Sequence, residues 1–208
     1  MLIHPWDAAA EDEWRDLLER ASFGQVIAAG GGDGYPTVVP SHFVYDGAEQ
    51  IWLHLARPNP VWRAIEENPR VVFSVIADYT YVEAAWNAET GTPPEHGVPT
   101  SYYSAVQFRC VAEIVDDPGE KITILRRQLG HLEPADSTRV PPSWDIDSDR
   151  RLLPGIRGLR LTIDSVLAKM KYGGNRTAAK REEIAERLAQ RNGPMDHAAR
   201  QHLLRRSS

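Results

Sequence analysis

At least six stretches of this chain read as strands, most reach the next through a short turn, and no strand-helix-strand rhythm recurs along it. Parallel neighbours need crossovers of a dozen or more residues, whereas antiparallel neighbours need only a turn, so this spacing predicts a mainly β fold, an antiparallel barrel with a few flanking helices. Phe23 to Ala29 is the first strand, and the run GGGDG from Gly30 reads as a hairpin turn because it lacks both phosphate-loop patterns. TVVPSHFVY follows and ends at the turn signal Asp46-Gly47; Pro40 cannot donate to a ladder, which predicts an edge or a bulge there. In IWLHLA, Ile51, Leu53 and Leu55 form a core face, and Trp52 and His54 form an opposite face suited to bordering a pocket. VVFSVI is continuously apolar, which predicts burial on both faces. From Tyr102 to Val115 the residues Val106, Phe108, Cys110, Ala112 and Ile114 share one face, and in the last strand Leu159, Leu161 and Ile163 do so.

The helices carry their own signals. Asp7 is a candidate cap for a helix running to about Arg20, and Asn59-Pro60 opens a short helix, VWRAIEEN, that Pro69 stops. Asp117, with Glu120 three residues on, caps a helix whose stripe is Ile122, Leu125, Leu129 and Leu132. A loop rich in Pro, Ser and Asp follows to about Arg151. Two short helices divided by Asn192-Gly193-Pro194 finish the chain. The loop WNAETGTPPEHGVPTS, Trp86 to Ser101, is long enough to suggest function rather than connection. A length of 208 residues with 42% hydrophobic content suits one barrel domain, residues 1–175, with a helical extension over 176–208.

Composition removes several classes. No apolar run approaches the roughly 20 residues of a membrane helix, and the N-terminus has no basic region followed by an apolar one, so no membrane association and cytoplasmic residence are expected. Cys110 is the sole cysteine, which excludes CxxC zinc sites. The absence of HExxH and the isolation of His42 and His54 predict no metal site, and the absence of a GxSxG elbow argues against a hydrolytic triad. A net charge of -5 lacks the footprint of a duplex-binding protein. The tail is locally basic, from Arg176 through Arg206, and reads as a solvated helix face, with a modest nucleic-acid contact as the alternative.

Two groups of cations stand out. Arg57 precedes the short helix and Arg63 lies within it, a setting suited to an anion. Lys169 and Lys171 fall on one strand face, followed by a Gly173-Gly174 break and by Asn175 and Arg176, so several donors converge where the backbone can approach closely. A flavin's pyrimidine edge, which gathers negative charge on reduction, needs such donors.

HLARPNPVW, VPTSYY, FRCVAEIVDDPGE and KMKYGGNR, in this order, resemble the FMN-binding split-barrel family of PaiB type, commonly described as FMN-binding negative transcriptional regulators. The likeness runs from about the first residue to about Leu188. It implies a homodimeric split barrel with FMN between subunits. By resemblance, His54, Arg57, Asn59, Pro60 and Trp62 match the first element, Val98, Pro99, Thr100 and Tyr103 the second, and Lys169, Lys171, Asn175 and Arg176 the third. Where the family usually reads VPTWNY this chain has Ser101 and Tyr102, and where it reads KWKLSQN this chain has Met170 and Gly173-Gly174. The expected function is a flavin-dependent oxidoreductase or flavin carrier acting on a small molecule, with Tyr102, Tyr103 and His54 as candidate proton donors. Two alternatives stand beside it: a PaiB-like negative transcriptional regulator using the basic C-terminal helices, and a split barrel holding haem or another tetrapyrrole with His42 or His54 as axial ligand.

Overall fold

A computed structural model describes residues 1–30, 32, 34–89 and 91–206 of the 208. Seven strands form an antiparallel sheet: β1 (Phe23–Ala28), β2 (Thr37–His42), β3 (Val44–Tyr45), β4 (Gln50–Ala56), β5 (Arg70–Val82), β6 (Thr100–Val115) and β7 (Ile156–Lys171), in the order β2-β1-β5-β6-β7-β4-β3. Flanking them are α1 (Glu11–Arg20), α2 (Val61–Glu67), α3 (Pro118–Leu132), α4 (Asp147–Leu152), α5 (Ala178–Arg191) and α6 (Asp196–Arg205). The expected mainly β architecture with flanking helices is therefore present. The chain groups into two compact units: a central unit of Arg15–Val75 and Gln107–Val166, and a terminal unit of Met1–Trp14, Ile76–Val106 and Leu167–Ser208.

In the central unit, Pro40 lies on the edge strand β2 opposite Gln25, and an edge strand is where a sheet tolerates a missing N–H. The alternation of β4 buries Ile51, Leu53 and Leu55, and Leu53 pairs across the ladder with Leu159, both wholly buried. Phe73 packs edge-on against Phe43 at 4.9 Å and covers Gly24, where a Cβ would come within 2.6 Å of the ring. The Asp117 carboxylate accepts the Glu120 N–H at 2.9 Å and caps α3. Lys121 on that helix is buried, its ammonium donating to the carbonyls of Leu153 at 2.7 Å and Ile156 at 3.3 Å, and burial lowers its pKa.

Four expectations are corrected. Asp7 does not cap α1, which starts at Glu11; it sits in a short 3-10 turn, buried and beside Lys169. VVFSVI is not buried on both faces: Val71, Phe73 and Val75 are buried while Ile76 is 66% exposed, the pattern of an antiparallel strand with one core face. The supposed loop to Arg151 contains α4, too short for periodicity to reveal; Asp149 anchors it by accepting Arg139 at 2.6 Å and the Ser143 N–H at 3.0 Å. On α3 it is Ile122, Ile124 and Gln128 that are buried, while Leu125 and Leu129 of the expected stripe line a cavity. The hairpin turn expected over Gly30 to Gly34 falls partly outside the described residues.

In the terminal unit, Thr177 caps α5, and Asn192 ends it in the left-handed region at φ 50°. Asp196, 2% exposed, then ties α6 down: it accepts the Gly193 N–H at 2.8 Å, Arg191 at 2.7 and 2.8 Å and the Thr80 hydroxyl at 2.5 Å. These bonds, Arg191 first, hold its carboxyl down to about 2 against an ordinary 3.8. A depressed acid stabilises the fold above its unfolded pKa and loses that contribution as pH falls through the folded value. Asp196→Asn is therefore expected to cost about 2 kcal/mol at neutral pH. Thermal unfolding curves of the two proteins should converge as pH drops from about 4 to about 2.

Candidate functional site

The opening of β6 and the end of β7 both lie in the terminal unit, and the two-residue period of β7 sets Lys169 and Lys171 on one face. The N-terminal segment lies along β7, where Ala8 bridges Lys169 and the Ala9 N–H reaches the Ala168 carbonyl. Together these segments enclose a cavity of about 330 Å³ lined by Asp7, Thr100, Tyr102, Lys169, Lys171, Asn175 and Arg176. Such a volume is in the range of small-molecule sites.

Each cation in it is positioned. The Lys169 ammonium, 7% exposed, donates to the Leu2 carbonyl at 2.9 Å and lies 3.7 Å from the Asp7 carboxylate. Lys171 donates to the Thr100 hydroxyl at 2.9 Å, and both lysines stand 5.9 Å from the centre of the Tyr103 ring, within cation–π range. Burial lowers the Lys171 pKa, and the neighbouring Lys169 charge lowers it further. Arg176 pairs with Glu89. Three cations thus line the cavity with Asp7 as the carboxylate among them, which suits an electron-rich or anionic guest.

Two buried polar atoms complete the wall. Among the described residues the Tyr102 hydroxyl and the Asn87 Oδ1 have no hydrogen-bond partner, although the Asn87 amide donates to the Val98 carbonyl at 2.6 Å. Burial pushes the Tyr102 phenol up to about 12, so it stays protonated and is a donor. Its position constrains Gly173. A Cβ on Gly173, whose φ is 66°, would lie 2.6 Å from the Tyr102 hydroxyl oxygen. The Tyr102 hydroxyl thus occupies space that a side chain at 173 would need. Gly174 is equally constrained, since a Cβ there would lie 2.2 Å from the Trp6 carbonyl oxygen.

The residues of the HLARPNPVW element lie in the central unit. His54 Nδ1 meets Gln128 at 2.5 Å; Arg57 donates to Asp116 at 3.0 Å and to the Pro154 carbonyl at 2.7 Å; Asn59 accepts the Val61 N–H at 3.0 Å. Trp62, 4% exposed, donates to the Ala56 carbonyl, while Arg63 is 69% exposed beside Glu67 and accessible to an anion. The structure therefore brings Thr100, Tyr102, Lys169, Lys171, Asn175 and Arg176 to one cavity, with Tyr103 against the lysines, and places His54, Arg57, Asn59, Trp62 and Arg63 in the other unit. His4, Trp6, Asp7 and Asn87 also line the cavity and were not anticipated. His4 and Trp6 stack at 4.7 Å. The alternation of a strand marks the lysines, whereas nothing local distinguishes a lining Asp7 from a helix cap.

The sequence matches the model of a family described as "Putative FMN-binding domain" over residues 2–165. The chain belongs to this family. It is also 28% identical over 192 residues to the protease synthase and sporulation protein PAI 2 of Bacillus subtilis (strain 168), covering 89% of this chain and 86% of that protein, in line with the PaiB-type resemblance. Among solved structures, the FAD and heme binding protein from Mycobacterium smegmatis aligns with a TM-score of 0.62 at 20% identity over 86% of this chain and 79% of its own. The flavocytochrome Anf3 from Azotobacter vinelandii aligns with a TM-score of 0.61 at 19% identity, covering 81% and 71% respectively. At these identities the FMN-binding family member shares with them its split-barrel fold. No described helix is long and apolar enough to cross a membrane.

Gly173→Ala is expected to destabilise the protein by about 1–2 kcal/mol through left-handed strain and the contact with Tyr102. In a Tyr102→Phe background the same change should cost about 1 kcal/mol less. Equal costs in denaturant unfolding of the two backgrounds would assign the whole effect to backbone strain.

Proposed function

We propose that this chain binds FMN and works as a flavin-dependent oxidoreductase or flavin carrier for a small molecule, with the terminal unit's cavity taking the electron-rich edge of the flavin. The observation that carries this reading is the convergence of Lys169, Lys171, Asn175 and Arg176 with the unpaired Tyr102 hydroxyl on one cavity in a chain of the FMN-binding family. The residues present fit the group: the wall is cationic, and its buried orphan hydroxyl is a donor with no acceptor among the described residues.

The flavin, when bound, supplies the redox chemistry. The protein's part is binding and orientation. Thr100 accepts from Lys171 and so fixes the direction of that ammonium, leaving its other protons for a guest. Asn175 is exposed, and among the described residues its side chain has no hydrogen-bond partner. Tyr102 serves as a neutral donor and not as a base, because its phenol is pushed up to about 12. Tyr103, flanked by the two ammonium groups, is the candidate to hold a proton near the ring.

Small-molecule chemistry is favoured over direct DNA contact because several bases of the tail are already engaged within the chain. Arg176 pairs with Glu89, Arg181 donates to the Arg176 carbonyl, Arg191 holds Asp196, and Arg206 donates to Glu13. Homodimer formation is supported by apolar surface on β5, where Ile76, Tyr79 and Tyr81 are 66%, 54% and 46% exposed.

Lys171→Ala is expected to weaken FMN binding tenfold or more, since a charge-assisted donor contributes about 1.5–3 kcal/mol. Affinity should also decline as pH rises through the lowered Lys171 pKa, before the ordinary lysine range is reached. Fluorescence-quenching titration checks both. Unchanged affinity in the variant removes Lys171 from the site, and no quenching of micromolar FMN by the parent protein defeats the reading.

A further inference from the structure

The central unit contains a second cavity, of about 400 Å³, whose wall is chemically unlike the first. Leu125 and Leu129 of α3, Leu152 and Leu153 at the end of α4, and Ile156 opening β7 make it mostly apolar. Leu152 is 70% exposed, an apolar side chain in water that a guest would cover. The charges on the wall cancel: Asp149 accepts Arg139 at 2.6 Å through one oxygen and the Ser143 N–H at 3.0 Å through the other. A charged guest has no uncompensated partner there.

His54 also lines the cavity, and its hydrogen bonds define which ring nitrogen is spare. Gln128, 3% exposed, donates its amide N–H to the His42 carbonyl at 3.1 Å, so its Oε1 faces His54 Nδ1 at 2.5 Å as an acceptor. Nδ1 must therefore carry the proton, and in the neutral ring Nε2 carries a lone pair. Among the described residues, Nε2 has no hydrogen-bond partner. The cavity thus combines an apolar body, no net charge and one oriented acceptor.

We propose that this cavity is a binding site for a neutral, mostly apolar small molecule bearing one hydroxyl or N–H donor, of the phenol class, which donates to His54 Nε2. The alternation of β4 that buries Leu53 and Leu55 turns His54 to the opposite side, and the Gln128–His42 contact holds its tautomer.

The test uses the full chain and two near-isosteric probes observed by fluorine NMR, 4-fluorophenol with a donor and 4-fluorotoluene without, in slightly alkaline buffer where imidazole and phenol are both neutral. The expected result is saturable binding of 4-fluorophenol, about fivefold or more tighter than 4-fluorotoluene. His54→Phe should abolish that preference, and Leu152→Glu at the exposed mouth should weaken both probes. Equal binding of the two probes, or none of either at about 10 mM, overturns the proposal. Nitrogen NMR of the parent protein tests it independently of any variant: a proton on His54 Nδ1 supports it, and a proton on Nε2 in the neutral ring overturns it.

Discussion

Burying an ammonium is tolerable only if its hydrogen-bonding protons and its charge are both answered, and the terminal unit is organised around that demand at Lys169. The Leu2 carbonyl and the Asp7 carboxylate answer it, so the first residues of the chain are pinned along β7. His4 and Trp6 arrive at the cavity as a consequence. Lys171, two residues on, still feels the Lys169 charge, which Asp7 offsets only in part, and the remaining positive potential is available to a guest. Loss of the Asp7 contact would release both the wall and the charge balance at once.

What could be read from the sequence follows the range of the interactions involved. Strand alternation is local, so the cluster of Lys169, Lys171, Asn175 and Arg176 was legible, as were the α3 cap at Asp117 and the edge position of Pro40. Asp7 was misread because a cap and a buried counter-ion have the same local signature, and only the partner 162 positions away separates them. Leu125 and Leu129 fit a helical stripe whether that stripe meets a core or a cavity, so periodicity found the residues and missed their surroundings. The α4 helix escaped because six residues are too few for a periodic signal.

The two cavities divide the polar chemistry between them. One is cationic and presents a phenol that cannot readily ionise; the other is apolar and presents one imidazole nitrogen held in orientation by an amide. The close approach of Tyr102 to Gly173 belongs with this division. A bulky donor stands at one position, and the absence of a side chain at the other leaves room for it. Positions far apart along the chain are thereby coupled in space, with Tyr172 filling the next place and meeting Tyr102 edge-on at 6.0 Å.

Tyr172 is wholly buried, bonded to Ser104 at 2.8 Å and stacked on His202 at 4.5 Å, and His202 in turn reaches Asp78 at 2.8 Å. These contacts join positions separated by up to 124 residues in the chain. Loop closure over such spans is entropically slow to reach, and synthesis proceeds from the N-terminus. The central unit has all its residues once Val166 has emerged, whereas the terminal unit must hold its N-terminal segment uncommitted until Lys169 is made. Assembly of the cationic cavity is thereby deferred past that of the central unit, until Lys169 to Arg176 have followed.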